Sequence, residues 1–218
     1  MPQNNATSLS LTLQNLACVR GDKLLFEGLS FEAASGEIVE IKGPNGVGKS
    51  SLLRIIAGLT PAYEGEIGLT SNTEPDLIIE DHAHFLSHQN ALKEGLSVIE
   101  NLAFWHRFAQ EQGLSPHEAL EQVALPHLAD LPVGVLSAGQ KRRVAFARLL
   151  VEHRPIWLLD EPTAALDASA DELVGGLISN HAQSGGIVLA ATHLPLQIDA
   201  SQVSVKTVQL GDYQEGQG

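Results

Sequence analysis

A glycine-rich segment, GPNGVGKS, spans residues 43–50 and constrains the fold of this chain more than any other feature. The apolar segment before it has the pattern of a strand, and SSLLRIIAGL after it has helical apolar spacing that stops at Gly58. Glycines let the loop backbone approach a ligand closely, and the following helix adds its positive N-terminal end. The segment therefore predicts a phosphate-binding loop between a strand and a helix of an α/β fold.

The residues of this loop have distinct predicted roles. Lys49 is expected to reach the β- and γ-phosphates of a nucleotide, and Ser50 is expected to offer its hydroxyl to Mg²⁺. The set predicted to contact the nucleotide here comprises Gly43, Pro44, Asn45, Gly46, Val47, Gly48, Lys49, Ser50 and Ser51.

A second segment, IWLLDEP at residues 156–162, places two carboxylates directly after an apolar strand. Ligands of open α/β sheets bind at this end of the strands. Asp160 is therefore predicted to hold Mg²⁺, and Glu161 is predicted to orient and deprotonate an attacking water.

A third segment, LSAGQ, lies at residues 136–140, and Ser137 with Gln140 forms a capping box for a helix. The N-terminal N–H groups of such a helix can bind an anion, and Gly139 permits close approach to a phosphate.

The rest of the chain shows an α/β organisation. Alternating or apolar segments predict strands from residue 9, and strands and helices alternate again after Pro155, which implies a parallel sheet. The middle is predicted to be helical, with capping boxes that begin at Ser97 and Ser115. DLIIEDHAHFLSH is predicted to be a buried strand that runs into a loop, and DYQEGQG is predicted to be a disordered tail.

Composition excludes several classes of protein. The 218 residues suit one sizeable α/β domain, and a formal charge of −13 argues against a nucleic-acid partner. The single cysteine, Cys18, excludes an internal disulfide, and no apolar run reaches the length of a membrane span. The N-terminus lacks the pattern of a secretory signal.

These motifs, in this order, resemble the ATP-binding cassette (ABC) family of ATPases over nearly the whole chain. The resemblance implies a P-loop NTPase fold of the ABC ATPase type, with a mostly parallel core sheet, an antiparallel β subdomain and an inserted helical subdomain. It implies one domain over residues 9–210. Its nucleotide-binding core and β subdomain would occupy residues 9–88 and 155–210, its helical subdomain residues 89–154, and a tail residues 211–218.

The same resemblance implies roles for further residues. Gln89, in LSHQNAL, matches the glutamine that links the metal site to the helical subdomain, and His193 matches the histidine that contacts the γ-phosphate. Asp167, in AALD, matches an aspartate beside the nucleotide. The family pattern implies that Ser137, Gly139 and Gln140 complete the site of a second copy in an ATP-closed head-to-tail dimer, although Ala138 stands where the family commonly has glycine.

One position departs from the family pattern. The family usually stacks adenine on an aromatic residue near the first hairpin turn, where this chain has Arg20. A guanidinium plane can stack on a base, but this replacement predicts modest discrimination between ATP and GTP.

Three close histidines, His82, His84 and His88, admit a metal or haem site as an alternative interpretation, although an H-x-H loop is a weak signal.

Several segments, among them LSHQNALKEGLSVIENLAFW and LSAGQKRRVAFARLL, resemble ATPase subunits of the bacterial haem exporter of cytochrome c maturation. The resemblance implies integral membrane permease partners, ATP and Mg²⁺ as ligands, and a peripheral location on the cytoplasmic face of the inner membrane. It also suggests that the groove between Gln89 and Trp105 receives a permease loop, with core packing as the other interpretation of Trp105. Two alternatives stay open: the ATPase subunit of another permease, and a non-transport dimeric switch gated by ATP.

Overall fold

The computed structural model describes residues 8–110 and 112–213, and its elements follow the predicted alternation. The strands are β1 (Leu9–Arg20), β2 (Lys23–Ala34), β3 (Glu37–Lys42), β4 (Glu64–Ser71), β5 (Ala83–Leu86), β6 (Ile156–Asp160), β7 (Ile187–Ala191) and β8 (Ser204–Gln209). The α-helices are α1 (Lys49–Ile56), α2 (Ile79–His82), α3 (Val98–Phe108), α4 (Pro116–Gln122), α5 (Ala138–Leu150) and α6 (Ala168–Gln183).

The strands form two sheets of different kinds. An antiparallel sheet has the order β2-β1-β4, and a five-stranded sheet has the order β5-β6-β7-β3-β8 with parallel neighbours throughout. The predicted α/β fold class, with a parallel core sheet and a separate antiparallel sheet, is confirmed.

The parallel sheet is buried on both faces. In β6, Ile156 and Leu158 belong to a hydrophobic cluster with α1 and the antiparallel sheet, whereas Trp157 and Leu159 belong to a second cluster with α3 to α6. Successive side chains of a strand point to opposite faces, so an uninterrupted apolar strand supplies both clusters.

The parallel register brings the carboxyl ends of four strands to the same end of the sheet. The glycine-rich loop follows β3, Ser87 follows β5, Asp160 ends β6 and His193 follows β7. The sheet topology therefore assembles segments that are far apart in sequence.

Between residues 89 and 154 the described residues form helices and 3-10 turns, joined by one isolated bridge between Ser97 and Pro132. The three predicted capping boxes are present at the starts of α3, α4 and α5. The division into a core and a helical subdomain stays a prediction. Within the described ranges, no helix combines the length and the apolar character that a membrane span requires.

The segment at residues 76–88 was predicted to be a buried strand that runs into a loop, and the structure differs. Ile78, which precedes the single helical turn α2, is exposed, and the strand β5 that follows this turn has only four residues. The Arg154 guanidinium donates hydrogen bonds to the carbonyl oxygens of Glu80 and Ala83 on either side of the join. This long-range contact stabilises the turn, and it is invisible in the local pattern.

The prediction of a disordered tail at residues 212–218 is wrong for Asp212 and Tyr213. Leu210–Tyr213 forms a 3-10 turn, in which Leu210 is fully buried and Tyr213 packs against the cluster beneath the antiparallel sheet. Burial of these apolar groups orders the segment. Residues 214–218 of the predicted tail lie outside the described residues.

Candidate nucleotide site

The glycine-rich loop adopts a conformation that requires glycine. Gly46 and Gly48 have φ values of +79° and +114°, in the region that side chains disfavour. A Cβ atom on Gly48 would also lie 3.0 Å from the Phe26 ring, so the loop packs directly on β2. Gly48 caps α1 without a side chain, and this arrangement leaves the first N–H groups of the helix without intrahelical acceptors.

The Lys49 ammonium lies inside this loop and donates to two of its carbonyl oxygens. Its Nζ is 2.8 Å from the Gly43 oxygen, 3.2 Å from the Pro44 oxygen and 3.3 Å from His193 Nε2. Burial lowers the pKa of Lys49, and the charges of Glu161 and Asp160 oppose that shift. The cation therefore lies where a phosphate seated in the loop would meet it.

Ser50 and Asp160 are joined by a hydrogen bond of 2.9 Å from the Ser50 hydroxyl to Asp160 Oδ1. Asp160 is 4% exposed. A hydroxyl and one carboxylate match the oxygen ligands that Mg²⁺ takes from protein when phosphates and water supply the rest. These residues fit a magnesium site that depends on a bound nucleotide.

Glu161 stands in a strained backbone conformation at the end of β6. Its φ is +48°, and its N–H donates to the Ala191 oxygen at 2.8 Å. The carboxylate Oε1 is 3.1 Å from His193 Nε2, which also lies beside Lys49. Strain at a non-glycine residue is commonly kept where function needs a fixed geometry.

Lys49, Ser50, Glu161 and His193 border one open cavity of about 580 Å³. Its lining also includes Arg20 of β1 and Lys23 of β2. An adjoining cavity of about 450 Å³ shares Arg20, Ser50 and Ser51 and extends to Asp160. The cavity can thus receive an elongated anion, with Arg20 at the position predicted to face a base.

Four other predicted residues lie away from this cavity. Ser137 and Gln140 are occupied in the capping box of α5, and the Asp167 carboxylate caps α6 by accepting from the Ala170 N–H at 2.9 Å. A Cβ atom on Gly139 would lie 3.0 Å from the Ala165 oxygen, so the start of α5 packs against the segment before α6. Their roles toward a nucleotide stay predictions.

Gln89 is exposed, and among the described residues it borders neither cavity. Its backbone forms a local turn in which the Ser87 hydroxyl accepts from the Gln89 N–H at 3.1 Å. The predicted role of its side chain in metal binding therefore stays untested.

Sequence reasoning missed Arg142, which is 3% exposed and donates to the carbonyl oxygens at the end of β6. In the sequence, Arg142 stands only as the middle of three consecutive basic residues, Lys141, Arg142 and Arg143. A signal was present: Arg142 begins an i, i+3, i+4, i+7 stripe with Ala145, Phe146 and Leu149, all buried. A charged residue on a buried helix face requires polar partners.

The three close histidines do not converge on one point. His84 is buried, with Nε2 2.8 Å from the Glu152 oxygen, and burial lowers its pKa to about 3. His82 contacts the Ile78 oxygen, while His88 borders the cavity beside Asp160. No group of three or more His, Cys, Asp or Glu side chains suited to a metal ion occurs in residues 8–110 and 112–213.

This chain is similar to known proteins over most of its length. The family model described as ABC transporter matches residues 26–164. The "Cytochrome c biogenesis ATP-binding export protein CcmA" of Rhodopseudomonas palustris strain BisB5 is 50% identical, covering 89% of this chain and 97% of the relative. The protein of the same name from Bradyrhizobium diazoefficiens is 47% identical, covering 90% of this chain and 98% of the relative.

A solved structure shows the same architecture. The dimer of an ATP-binding cassette in a post-hydrolysis state, bound to ADP and Pi, is similar with a TM-score of 0.72 and 27% identity. The match covers 92% of this chain and 95% of the solved chain.

Proposed function

This chain belongs to the ABC transporter family, and we propose that it is the ATP-hydrolysing subunit of the transporter that exports haem for cytochrome c biogenesis. One observation carries the ATPase part: the loop with Lys49, the Ser50–Asp160 pair and the Glu161–His193 pair all border connected cavities. The export part is supported by the identity over nearly full length to proteins named for cytochrome c biogenesis export.

The chemistry assigned to the site divides among a few residues. The loop N–H groups and Lys49 bind the phosphates, which exchanges the present Lys49 bonds to Gly43 and Pro44 for phosphate contacts. Ser50 and Asp160 would hold Mg²⁺, which supplies neutralisation of phosphate charge when bound. Glu161 accepts the proton of the attacking water. His193, between Lys49 and Glu161, contacts the γ-phosphate and orients that carboxylate.

By this assignment, the nucleotide site of a single chain lacks some of the residues predicted to contact the nucleotide. Ser137, Gly139 and Asp167 lie outside the cavity that Lys49 borders, on or near the surface of the described chain. We assign them, with Gln140, to the nucleotide site of a second copy in a head-to-tail dimer. The solved ATP-binding cassette dimer with ADP and Pi supports this assembly.

A further prediction concerns nucleotide choice. Arg20 borders the cavity where the family usually has an aromatic residue, and a guanidinium plane stacks on either purine. We therefore expect ATP and GTP to differ by less than tenfold in affinity, or less than about 1.4 kcal/mol. Competition binding against a fluorescent nucleotide measures this ratio. A hundredfold preference for ATP would show that another residue reads the base.

The membrane partner is assigned to the surface after Gln89. Lys93 and Glu94 are exposed there, and Phe104 on α3 is 45% exposed, with the Lys93 ammonium 5.0 Å from its ring centre. Trp105 instead packs partly buried against the large cluster, beneath the Arg148 guanidinium at 4.9 Å. Core packing is thus the better interpretation of Trp105, and the exposed aromatic edge belongs to Phe104.

Charge reversal tests this surface and the proposed function together. In a bacterium from which the corresponding ATPase gene has been deleted, the wild-type gene for this chain should restore c-type cytochromes, detected by haem staining. The double variant Lys93→Glu/Glu94→Lys should restore none and should fail to co-purify with the membrane subunits. Its ATPase activity as an isolated chain should stay within twofold of wild type, because the Lys141–Glu94 pair that it breaks is a surface contact.

The matched control is Lys206→Glu/Asp212→Lys, which also conserves net charge. Lys206 belongs to β8, at the opposite edge of the parallel sheet from β5, and both side chains are exposed. This control should restore cytochromes normally. If the wild-type gene restored none, the export proposal would fail. If the Lys93/Glu94 variant co-purified normally, only the docking surface would be withdrawn.

A further inference from the structure

We propose that Arg142 is a positioning residue for ATP hydrolysis, whose guanidinium holds the turn carrying Glu161 and the loop carrying Gln89 in one fixed arrangement. This role rests on the proposed function, because it concerns the hydrolytic step that Glu161 is assigned to promote.

All five N–H groups of the Arg142 guanidinium have acceptors. Nη2 donates to the carbonyl oxygens of Asp160 at 2.8 Å and Glu161 at 2.9 Å, and Nε donates to that of Pro162 at 3.0 Å. Nη1 donates to the Ser87 carbonyl at 2.7 Å and to Asn90 Oδ1 at 3.2 Å. A guanidinium has five donors in a planar fork, so no smaller cation can make this set of contacts.

These contacts complete the restraint on Glu161. Its N–H donates to the Ala191 oxygen, and its C=O accepts from Arg142 Nη2 at 2.9 Å and from the Ala164 N–H at 3.2 Å. Both backbone polar groups are therefore fixed on either side of a φ of +48°. Such a conformation persists only where its surroundings determine it, and Arg142 is the side chain that determines it from the C=O side.

The charge of Arg142 suits this place. Burial lowers its pKa to about 10, with the carboxylates of Asp160 and Glu161 opposing the shift, so the group stays charged at neutral pH. Its acceptors are mainly backbone oxygens, so the Glu161 carboxylate is left to contact His193. Burying a cation among carbonyl oxygens destabilises the fold unless every N–H donor has an acceptor, and here every donor has one.

Arg142 also connects a region assigned to the partner's nucleotide site with a region assigned to the site of its own copy. It stands on α5, whose first turn carries Gly139 and Gln140, the residues assigned to the partner's nucleotide site. The same side chain holds the hydrolytic turn of its own copy and the loop that leads to the docking surface. The hydrogen bonds of one side chain therefore connect α5, the turn that carries Glu161 and the loop that carries Gln89.

Steady-state kinetics of Arg142→Lys tests the proposal. Lysine keeps the charge but carries its three N–H donors on one nitrogen, so it cannot contact all five acceptors, and we expect the Glu161 turn to be held less firmly. A misplacement of about 1 Å can cost on the order of a hundredfold in rate, and we expect kcat to fall at least tenfold with KM for ATP changed less than threefold. The matched control Arg143→Lys alters the neighbouring arginine, whose Nη1 donates to the Val123 oxygen away from the site. Its kcat should stay within twofold of wild type.

A double-variant cycle separates positioning from general damage. If Arg142 acts through Glu161, Arg142→Lys should cost less than twofold in single-turnover hydrolysis when Glu161→Gln is already present. An equal loss in both backgrounds would overturn the assignment. Asn90→Ala removes the one side-chain acceptor of the Arg142 guanidinium, at a partly exposed site, and should lower kcat two- to fivefold. This variant tests the inference if Arg142→Lys does not fold.

Failure of this inference and failure of the proposed function give different results. Arg142→Lys and Asn90→Ala with kcat within twofold of wild type would overturn this inference and leave the proposed function intact. A wild-type protein without ATPase activity would instead overturn the proposed function.

Discussion

Replacing Glu161 with glutamine should lower ATP turnover by about 10²–10⁴-fold, the usual contribution of a general base, while ATP binding changes little. The amide keeps the size of the side chain but cannot accept the proton of the attacking water. Steady-state phosphate release gives the rate, and a fluorescent nucleotide gives the affinity.

The same variant should accumulate the closed dimer, because ATP is bound but not consumed. Sedimentation with ATP and Mg²⁺ should then show a species of twice the monomer mass, which disappears without nucleotide. The matched control is Glu172→Gln, an exposed carboxylate on α6 outside the cavity, which should hydrolyse ATP at the wild-type rate. Wild-type hydrolysis by Glu161→Gln would refute the assignment of the base, and a strictly monomeric protein under all conditions would count against the head-to-tail assembly.

Replacing Lys49 with alanine should weaken both binding and turnover, unlike the change at Glu161. Lys49 is 7% exposed, and its ammonium lies among loop carbonyls where the phosphates are expected. A hydrogen bond to a charged group contributes about 1.5–3 kcal/mol, so ATP affinity should fall between about tenfold and about 150-fold. Isothermal titration with ATP measures the change.

Lys206→Ala is the control for the loss of one lysine charge. Lys206 pairs with Glu37 on the surface at 2.7 Å and borders neither of the two connected cavities. Its ATP affinity should stay within twofold of wild type. Should Lys49→Ala bind ATP as tightly as this control, the phosphates do not lie in the loop as assigned.

Much of the site was predictable because its residues follow local rules. The loop at residues 43–50 combines glycines with a strand before it and a helix after it, and each of these can be recognised within a short window. The three helix starts were predictable for the same reason, since a capping box joins residues only three positions apart.

Other features depend on contacts between distant parts of the chain. The extra turn at α2 forms where Arg154 meets the carbonyls of Glu80 and Ala83, more than 70 residues earlier. The ordered residues up to Tyr213 depend on burial beneath the antiparallel sheet. Local propensity cannot anticipate either feature, because the partner that decides it lies outside any window of sequence.

The sequence by itself determined the chemical groups of this protein and their order: a glycine-rich loop with a lysine, a capped helix at Ser137, and two carboxylates after an apolar strand. Those features follow from periodicity, capping and backbone freedom, which act over a few residues. Only the tertiary structure decided that Lys49, His193 and Glu161 meet at one edge, because parallel pairing of β3, β6 and β7 aligns their carboxyl ends. It alone decided that the Arg142 guanidinium closes around the Glu161 turn, because a buried cation must find its five acceptors wherever the packed chain brings them.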